Sequence, residues 1–404
     1  MRKAFATPGF PRLFGALAAS MCGDSIMLLV LSMWVKTLTG SNALAGLTFF
    51  FMVIPSLFGP VLGVWVDRVR RRPLLVWGNL ASAAMVLPLL AVRDASDVWL
   101  IWLVSFFYGV SMVVLPAALN GLLKELVPED LLVDANASIQ TTKEAFRLFG
   151  PLVGAGLFGW LGGGAVALVD AASFVVAAAV IATIVVSEPA PVRDGADFWS
   201  QLVEGVRHLA TDRVLGHVLI GFALCMLVLG FLEASIYAVL DAFGKPPTYA
   251  GVFVTVEGVG AVTGGLLAGP LIRRVGEVGA LVVGLVVLAA SMAGIAGVST
   301  IPALLGFAAV TGLSLPVLMV GYMTLIQKRT PAPLMGRVST AAEVVMSLPS
   351  AISLALGALL VSLLDYRLIF LIVAAVTLLG ALHIGFWLRG QIRDDVRRRP
   401  ALVE

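Results

Sequence analysis

Apolar runs of about 20 residues follow one another along this chain, each closed by a short polar or charged stretch. A helix of that length crosses a hydrocarbon core about 30 Å thick. Helices suit the pattern because lipid offers no partner to an open backbone group. Barrel strands would alternate polar and apolar residues over about ten positions, and these runs do not. The pattern predicts twelve spans, at roughly 13–36, 43–66, 73–93, 98–122, 135–160, 164–187, 213–240, 247–271, 277–298, 300–325, 334–361 and 366–388. Arg2 and Lys3 before the first run imitate a secretion signal. Asp24 interrupts that run, and no small-residue cleavage site precedes a soluble domain, so it reads as a retained first span.

The longest connection, 188–212, divides the chain into six spans (1–187), a linker, and six more spans with a basic tail (213–404). Within the linker Phe198, Leu202, Val206 and Leu209 share one helical face, with Glu204 and Arg207 elsewhere. That is the pattern of a short helix lying along a membrane surface. The halves echo each other about 200 residues apart. "ALAGLTFFFMVIPSLFGPVLGVWVDR" parallels "TYAGVFVTVEGVGAVTGGLLAGPLIRR", and "LPAALNGLLKELVPEDLLVDANAS" parallels "LPVLMVGYMTLIQKRTPAPLMGRVS". Two parallel six-span repeats point to a transporter with its site near the bilayer midplane. The expected fold is therefore all-α and integral to the membrane, twelve helices in two pseudo-symmetric bundles.

Composition agrees. Hydrophobic residues make up 60% of the chain and charged residues 13%, against about 45–50% and about 25% in soluble domains. Lys36, Arg93, Lys245 and Arg367 lie on one side of the membrane, and Lys143 and Arg147 fall within span five. Every other Lys and Arg lies in the termini or even-numbered loops. The positive-inside rule puts both termini in the cytoplasm. This bias accounts for the net charge of +3 without any nucleic-acid partner. Cys22 and Cys225 sit inside apolar runs and read as small core residues. The three histidines form no HExxH, no CxxC or Walker A pattern is present, and Gly162-Gly163-Gly164 reads as a turn between helices. No metal, cofactor or nucleotide site is expected, so a transporter of this kind would draw on an ion gradient.

The stretch "GPVLGVWVDRVRRRP" follows span two. Gly59 and Gly63 are four apart on one face, where small residues would let a neighbouring helix come close. Asp67 ends that face and can latch onto a helix N-terminus or a basic side chain. Arg68, Arg71 and Arg72 would anchor the loop at the headgroups. The pattern G-x-x-x-D-R-x-x-R-R resembles the signature loop of the major facilitator superfamily. The resemblance covers the whole chain. Within that family "PAALNGLLKELVPEDLLVDANASIQT", "VEGVRHLATDRVLGHVL" and "LIQKRTPAPLMGRVSTAAEVVMSL" resemble the branch of macrolide-efflux and enterobactin-exporter proteins. The resemblance implies alternating access, a monomer, and a cavity lined by spans one, four, seven and ten. Two positions depart from the family pattern. Arg70 stands where glycine is usual, and Tyr108 replaces a span-four arginine that in many members partners the loop Asp. Arg337 is then the candidate partner of Asp67. In span five Arg147, Gly150, Pro151, Gly154 and Gly156 resemble the Gly-Pro motif of the family's antiporters. Physically the proline frees a backbone bond and the glycines permit close packing, which equally describes a plain kink.

A carboxylate at bilayer depth costs roughly 2.5–3.5 kcal/mol, so each one is a functional candidate. Asp24 lies halfway along span one, where it would exchange protons or serve as a polar packing contact. Glu233 in span seven, with Tyr237 one turn on, Glu257 in span eight and Glu343 in span eleven are further candidates for a proton or a cationic substrate. Glu144 and Arg147 share a face of span five, as a neutralising pair or a charge relay. Asp170 in span six reads as structural. Tyr108, Phe50, Phe107, Phe231, Phe253 and Tyr322 would contribute to a greasy pocket for amphipathic or cationic compounds. The sequence thus reads as a proton-coupled multidrug-type antiporter in the cytoplasmic (inner) membrane, with lipid around it. The alternatives are a lysophospholipid transporter, a nutrient symporter and a non-transporting sensor or scaffold. In a variant cleared of Cys22 and Cys225, a cysteine at Arg193 should react with a membrane-impermeant maleimide only from the cytoplasmic side. One at Lys245 should react only from outside; labelling of intact cells and of inverted vesicles checks both.

Overall fold

Helix breaks fall where the chain loses a donor or a side chain. The computed structural model describes residues 5–128, 131–186, 198–331 and 334–398. Span one is the helix Phe10–Thr39, closed by Gly40 in a left-handed turn (φ 67°). Span two is interrupted at Pro55: helix Asn42–Val53, a 3-10 turn Ile54–Phe58, then helix Gly59–Asp67. Spans three and four are Arg71–Val86, prolonged by a 3-10 turn to Ala91, and Val98–Leu126. Spans five and six form the run Leu132–Ala182, broken at Gly162 (φ 78°, ψ 172°). Spans eight and nine form Ala250–Gly297, broken at Gly276 (φ 82°, ψ 168°). Both breaks use a backbone conformation that only glycine adopts without strain. Spans seven, ten, eleven and twelve are Arg213–Ala242, Ile301–Arg329, Met335–Leu363 and Tyr366–Trp387. Shorter helices cover Phe198–Thr211 and Arg389–Arg398.

Among the described residues nine helices are long and apolar enough to cross a membrane, and Asn42–Phe58 is a shorter apolar one. Two of the nine are the glycine-broken pairs, which is consistent with twelve spans, and no strand is present among the described residues.

The chain divides into two compact units, 1–194 with 246–252, and 195–245 with 253–404. The same helix pairings recur in each. In the first unit Gly150 and Gly154 of span five rest on the backbone of Ser25 and Ile26 in span one, and Gly109 of span four rests on the Met52 carbonyl of span two. In the second, Gly230 of span seven lies against Ser353 and Leu354 of span eleven. Gly260 and Gly264 of span eight sit on the carbonyls of Ala309 and Leu313 in span ten. Hydroxyl pairs also match. Ser82 and Ser111 join spans three and four at 2.8 Å, and Ser291 and Thr311 join spans nine and ten at 2.8 Å. The sequence repeat is thus a repeat of contacts. Apolar side chains gain nothing by leaving lipid for each other, so close backbone approach at small residues holds such helices together.

Two expectations change. Gly59 and Gly63 do not make a tight contact: a side-chain carbon at Gly59 would meet only Val113, at an ordinary 3.7 Å, and Gly63 has nothing within 4 Å. The close approach of span two lies one face away, under Gly109. The linker helix also does more than lie on a surface. Gly205 packs on the Arg337 backbone, Leu209 is buried, and Glu204 pairs with Arg337, while Val203 and Val206 stay exposed. Span seven starts at Asp212, whose side chain accepts from the amides of Val214 and Leu215 at 2.9 Å each and from Arg329 at 3.2 Å. Burial alone would raise this carboxyl, but the Leu215 amide, Arg329 and the Val214 amide together hold it below the usual carboxylate range. Its stabilising contribution is therefore full above roughly pH 4 and is lost as pH falls through the lowered value.

A methyl at Gly312 would overlap the Glu257 carbonyl oxygen, whereas Gly306 on the same helix has nothing within 4 Å. Gly312→Ala should lower the melting temperature of the detergent-purified protein, in line with an overpacking cost of about 1–3 kcal/mol. Gly306→Ala should leave it unchanged or raise it, because alanine favours the helix by roughly 0.5–1 kcal/mol.

Candidate functional site: a buried carboxyl cluster

Asp24 occupies the middle of span one, and Gly23 before it decides what can stand beside it. A side-chain carbon at Gly23 would collide with Ser173 Oγ and come within 2.6 Å of Asp170 Oδ1. The bare glycine lets span six close on span one, which sets the Asp170 carboxyl next to Asp24. Tyr108 completes the group from span four. Its hydroxyl donates to Asp24 Oδ1 at 2.6 Å, and its ring meets Phe174 edge-on at 6.2 Å. Tyr108 is 4% exposed and Asp170 0%, while Asp24 is half-buried. Neither Asp170 oxygen finds hydrogen-bonding geometry. Ser20, one turn before Asp24, also approaches its carboxyl.

This group holds two carboxyls and one phenol from three helices. Acidic residues of spans one and six, 146 positions apart, meet there. Such a cluster can hold or release a proton, and Tyr108 offers its single O–H to one carboxyl at a time. Asp170, read from the sequence as structural, is the member that sequence reasoning missed. Tyr108, where an arginine for the loop Asp was expected, instead serves Asp24.

Glu233 and Glu343 are exposed on spans seven and eleven, and Glu257 is half-buried on span eight. No group of three or more acidic, His or Cys side chains suited to a metal is present among the described residues. Tyr237 is fully buried. Tyr322 instead stacks on Phe222 at 4.7 Å, joining spans ten and seven.

The loop after span two has a more definite task than anchoring. Arg72 donates to the carbonyls of Ile181, at 3.4 Å, and Ala182, and Arg12 reaches Thr183. These carbonyls end span six, where cations are favoured. Arg71 lies against Gly121 of span four, and Arg68 is exposed. The Asp67 side chain lies outside the described residues. Its candidate partner Arg337 pairs with Glu204, because the linker helix docks directly on the start of span eleven. In the second unit, Lys328 and Glu277 form a 2.6 Å pair, with Glu277 only 5% exposed. On span five Arg147 and Glu144 stand 3.7 Å apart with both side chains exposed, and Gln140 donates to Glu144. An exposed pair of this kind contributes little. Pro151 lies within a continuous stretch of helix between Gly150 and Gly154.

Comparison with known proteins places this geometry. Residues 13–353 and 218–403 match the family described as Major Facilitator Superfamily. Macrolide efflux protein A of Streptococcus pyogenes is 26% identical over 365 residues, covering 87% of this chain and 88% of that protein. Among solved structures, a bacterial homologue of the iron transporter ferroportin aligns with a TM-score of 0.74 at 17% identity, over 94% of this chain and 98% of that one. The nucleoside transporter NupG aligns with a TM-score of 0.74 at 14% identity, over 94% and 99%. At those identities the two structures establish the shared fold alone.

Tyr108→Phe removes the phenol donor at Asp24 and leaves two neighbouring carboxyls without it. It should destabilise the protein by about 1–3 kcal/mol, seen as a lower melting temperature in detergent at pH 7. The difference from wild type should shrink at a pH low enough to protonate both acids.

Proposed function

We propose that this chain, which belongs to the Major Facilitator Superfamily, exports a hydrophobic or amphipathic small molecule across the cytoplasmic membrane in exchange for inward protons. It is a multi-pass membrane transporter rather than an enzyme. The observation that carries the proton reading is the Tyr108–Asp24 hydrogen bond in the middle of span one. The efflux reading draws support from the relatives named macrolide efflux protein A, in Streptococcus pyogenes and Enterococcus faecalis.

The physics runs as follows. A membrane-embedded carboxyl is cheaper neutral when water is excluded and cheaper charged when water reaches it. If each side of the membrane gains access in turn, the group takes a proton from one side and gives it to the other. Each proton moving inward yields about 2.3 kcal/mol per 100 mV of membrane potential, besides the pH gradient. That is enough to concentrate a substrate tens-fold at 100 mV. The Tyr108 hydroxyl favours the charged form of Asp24, so proton loss is eased without a fixed cation. In this reading both termini are cytoplasmic, the transporter acts as a monomer, and no bound cofactor is needed. The loop carrying Arg68, Arg71 and Arg72 serves as a gate. Charge-assisted bonds of the Arg72 type, worth about 1.5–3 kcal/mol each, can be broken and remade in a cycle.

The test uses proteoliposomes with an imposed pH gradient and a lipophilic fluorescent cation or a macrolide. Wild type should concentrate the compound against its gradient, and Asp24→Asn should lose at least ten-fold of that rate. Transport indifferent to the gradient would sink the coupling and favour lipid handling or facilitated diffusion. Absence of flux for every amphipathic compound tried would favour the sensor or scaffold.

A further inference from the structure

We propose that Asp170 and Asp24 act as one proton-carrying pair, holding a single exchangeable proton between them, with Tyr108 selecting which carboxyl is charged. This rests on the proton-coupled reading above and names a second member of its site.

Two geometric facts support the pairing. Asp170 is fully buried and neither oxygen accepts a well-formed hydrogen bond, although the Tyr108 hydroxyl also approaches its carboxyl, and its Oδ1 reaches over Gly23, directly beside Asp24. Tyr108 is likewise buried and gives its only proton to Asp24. A cation would be needed to keep both carboxyls ionised at this depth, because like charges disfavour each other as water is removed. The titratable groups on the surrounding helices do not supply one. On span one itself, Cys22 is uncharged as a thiol, Arg12 lies 12 residues before Asp24 and reaches the Thr183 carbonyl, and Lys36 lies 12 residues on, each about 18 Å along the helix. Its ammonium donates to the Gly40 carbonyl at 2.9 Å. Span five, packed on span one through Gly150 and Gly154, carries Lys143 and Arg147, both exposed, with Arg147 paired to Glu144. Span three brings Arg71 and Arg72, and span four Lys124 and Glu125, all at the far helix ends. Span six carries no other titratable group among the described residues.

One proton then serves two acids. When Asp24 is charged it takes the Tyr108 hydrogen bond, and the proton rests on Asp170, whose buried site favours the neutral form. When Asp24 receives the proton, the Tyr108 hydroxyl is free to turn to the Asp170 carboxylate. The proton leaves to, and arrives from, water on whichever side the site is open, and that water hydrates both carboxylates while the pair is empty. Sharing also fixes the count: the pair carries one proton per cycle, not two.

The test is the pH dependence of gradient-free substrate exchange in proteoliposomes, with equal pH on both sides, alongside proton movement followed by a trapped pH dye. Asp170→Asn removes the neighbouring acid, so its midpoint should move at least one pH unit toward acid with proton movement retained. Tyr108→Phe keeps both acids but removes the donor that favours charged Asp24, so its midpoint should move toward alkaline pH. These opposite shifts are not expected of variants that only loosen packing, and Tyr108→Phe stands in if Asp170→Asn does not fold. An unchanged midpoint in Asp170→Asn, with wild type still moving protons, overturns the pairing and leaves the proton-coupled reading intact. Wild type that exchanges substrate without moving protons overturns both. An exchange rate that tracks sodium concentration at fixed pH overturns the pairing by identifying another cation.

Discussion

Helices in lipid have no hydrophobic reason to prefer each other over acyl chains, so what holds this molecule's units together is how near two backbones can come. Gly154 on Ile26, Gly230 on Ser353 and Gly312 on Glu257 set those distances. Everything polar inside the units depends on them. Asp170 reaches Asp24 because Gly23 has no side chain, and the hydroxyl pairs Ser82–Ser111 and Ser291–Thr311 close only because their helices are already tight. The same pairings in both units make the molecule two copies of one packing solution.

The copies differ in where they spend their charges. The first unit places two carboxyls and a phenol deep within its helices and uses Arg12 and Arg72 to bind the end of span six. The second forms its acid–base pairs at helix ends, where Asp212 meets Arg329 and Glu277 meets Lys328. Its interior contact between spans seven and ten is the aromatic stack of Phe222 and Tyr322.

The number and order of spans were legible because a membrane segment announces itself by length and composition, and the turn at Gly162 because three glycines stand together. Depth along a helix was legible too, which is why Asp24 stood out. Direction around the helix was not. Asp170 read as structural because nothing local reveals that Gly23 leaves room for it. Gly59 and Gly63 mark a small-residue face, but spacing alone does not say whether another helix occupies that face. Arg72 read as a headgroup anchor, since its carbonyl partners lie 109 and 110 positions away. Arg337 illustrates the same limit, with its acid supplied by the linker helix rather than by the loop it was expected to serve.

Spans five and six are joined through one left-handed glycine, as are spans eight and nine, so neither pair has a loop of its own. Each is a stiff hairpin whose two arms share a single hinge point, and an insertion at Gly162 or Gly276 would have to prise the arms apart. Room for an epitope or a reporter exists instead between spans three and four. There Asp94 and Asp97 shape a polar, exposed turn that closes on itself, at a site where foreign sequence would leave the packed glycines undisturbed.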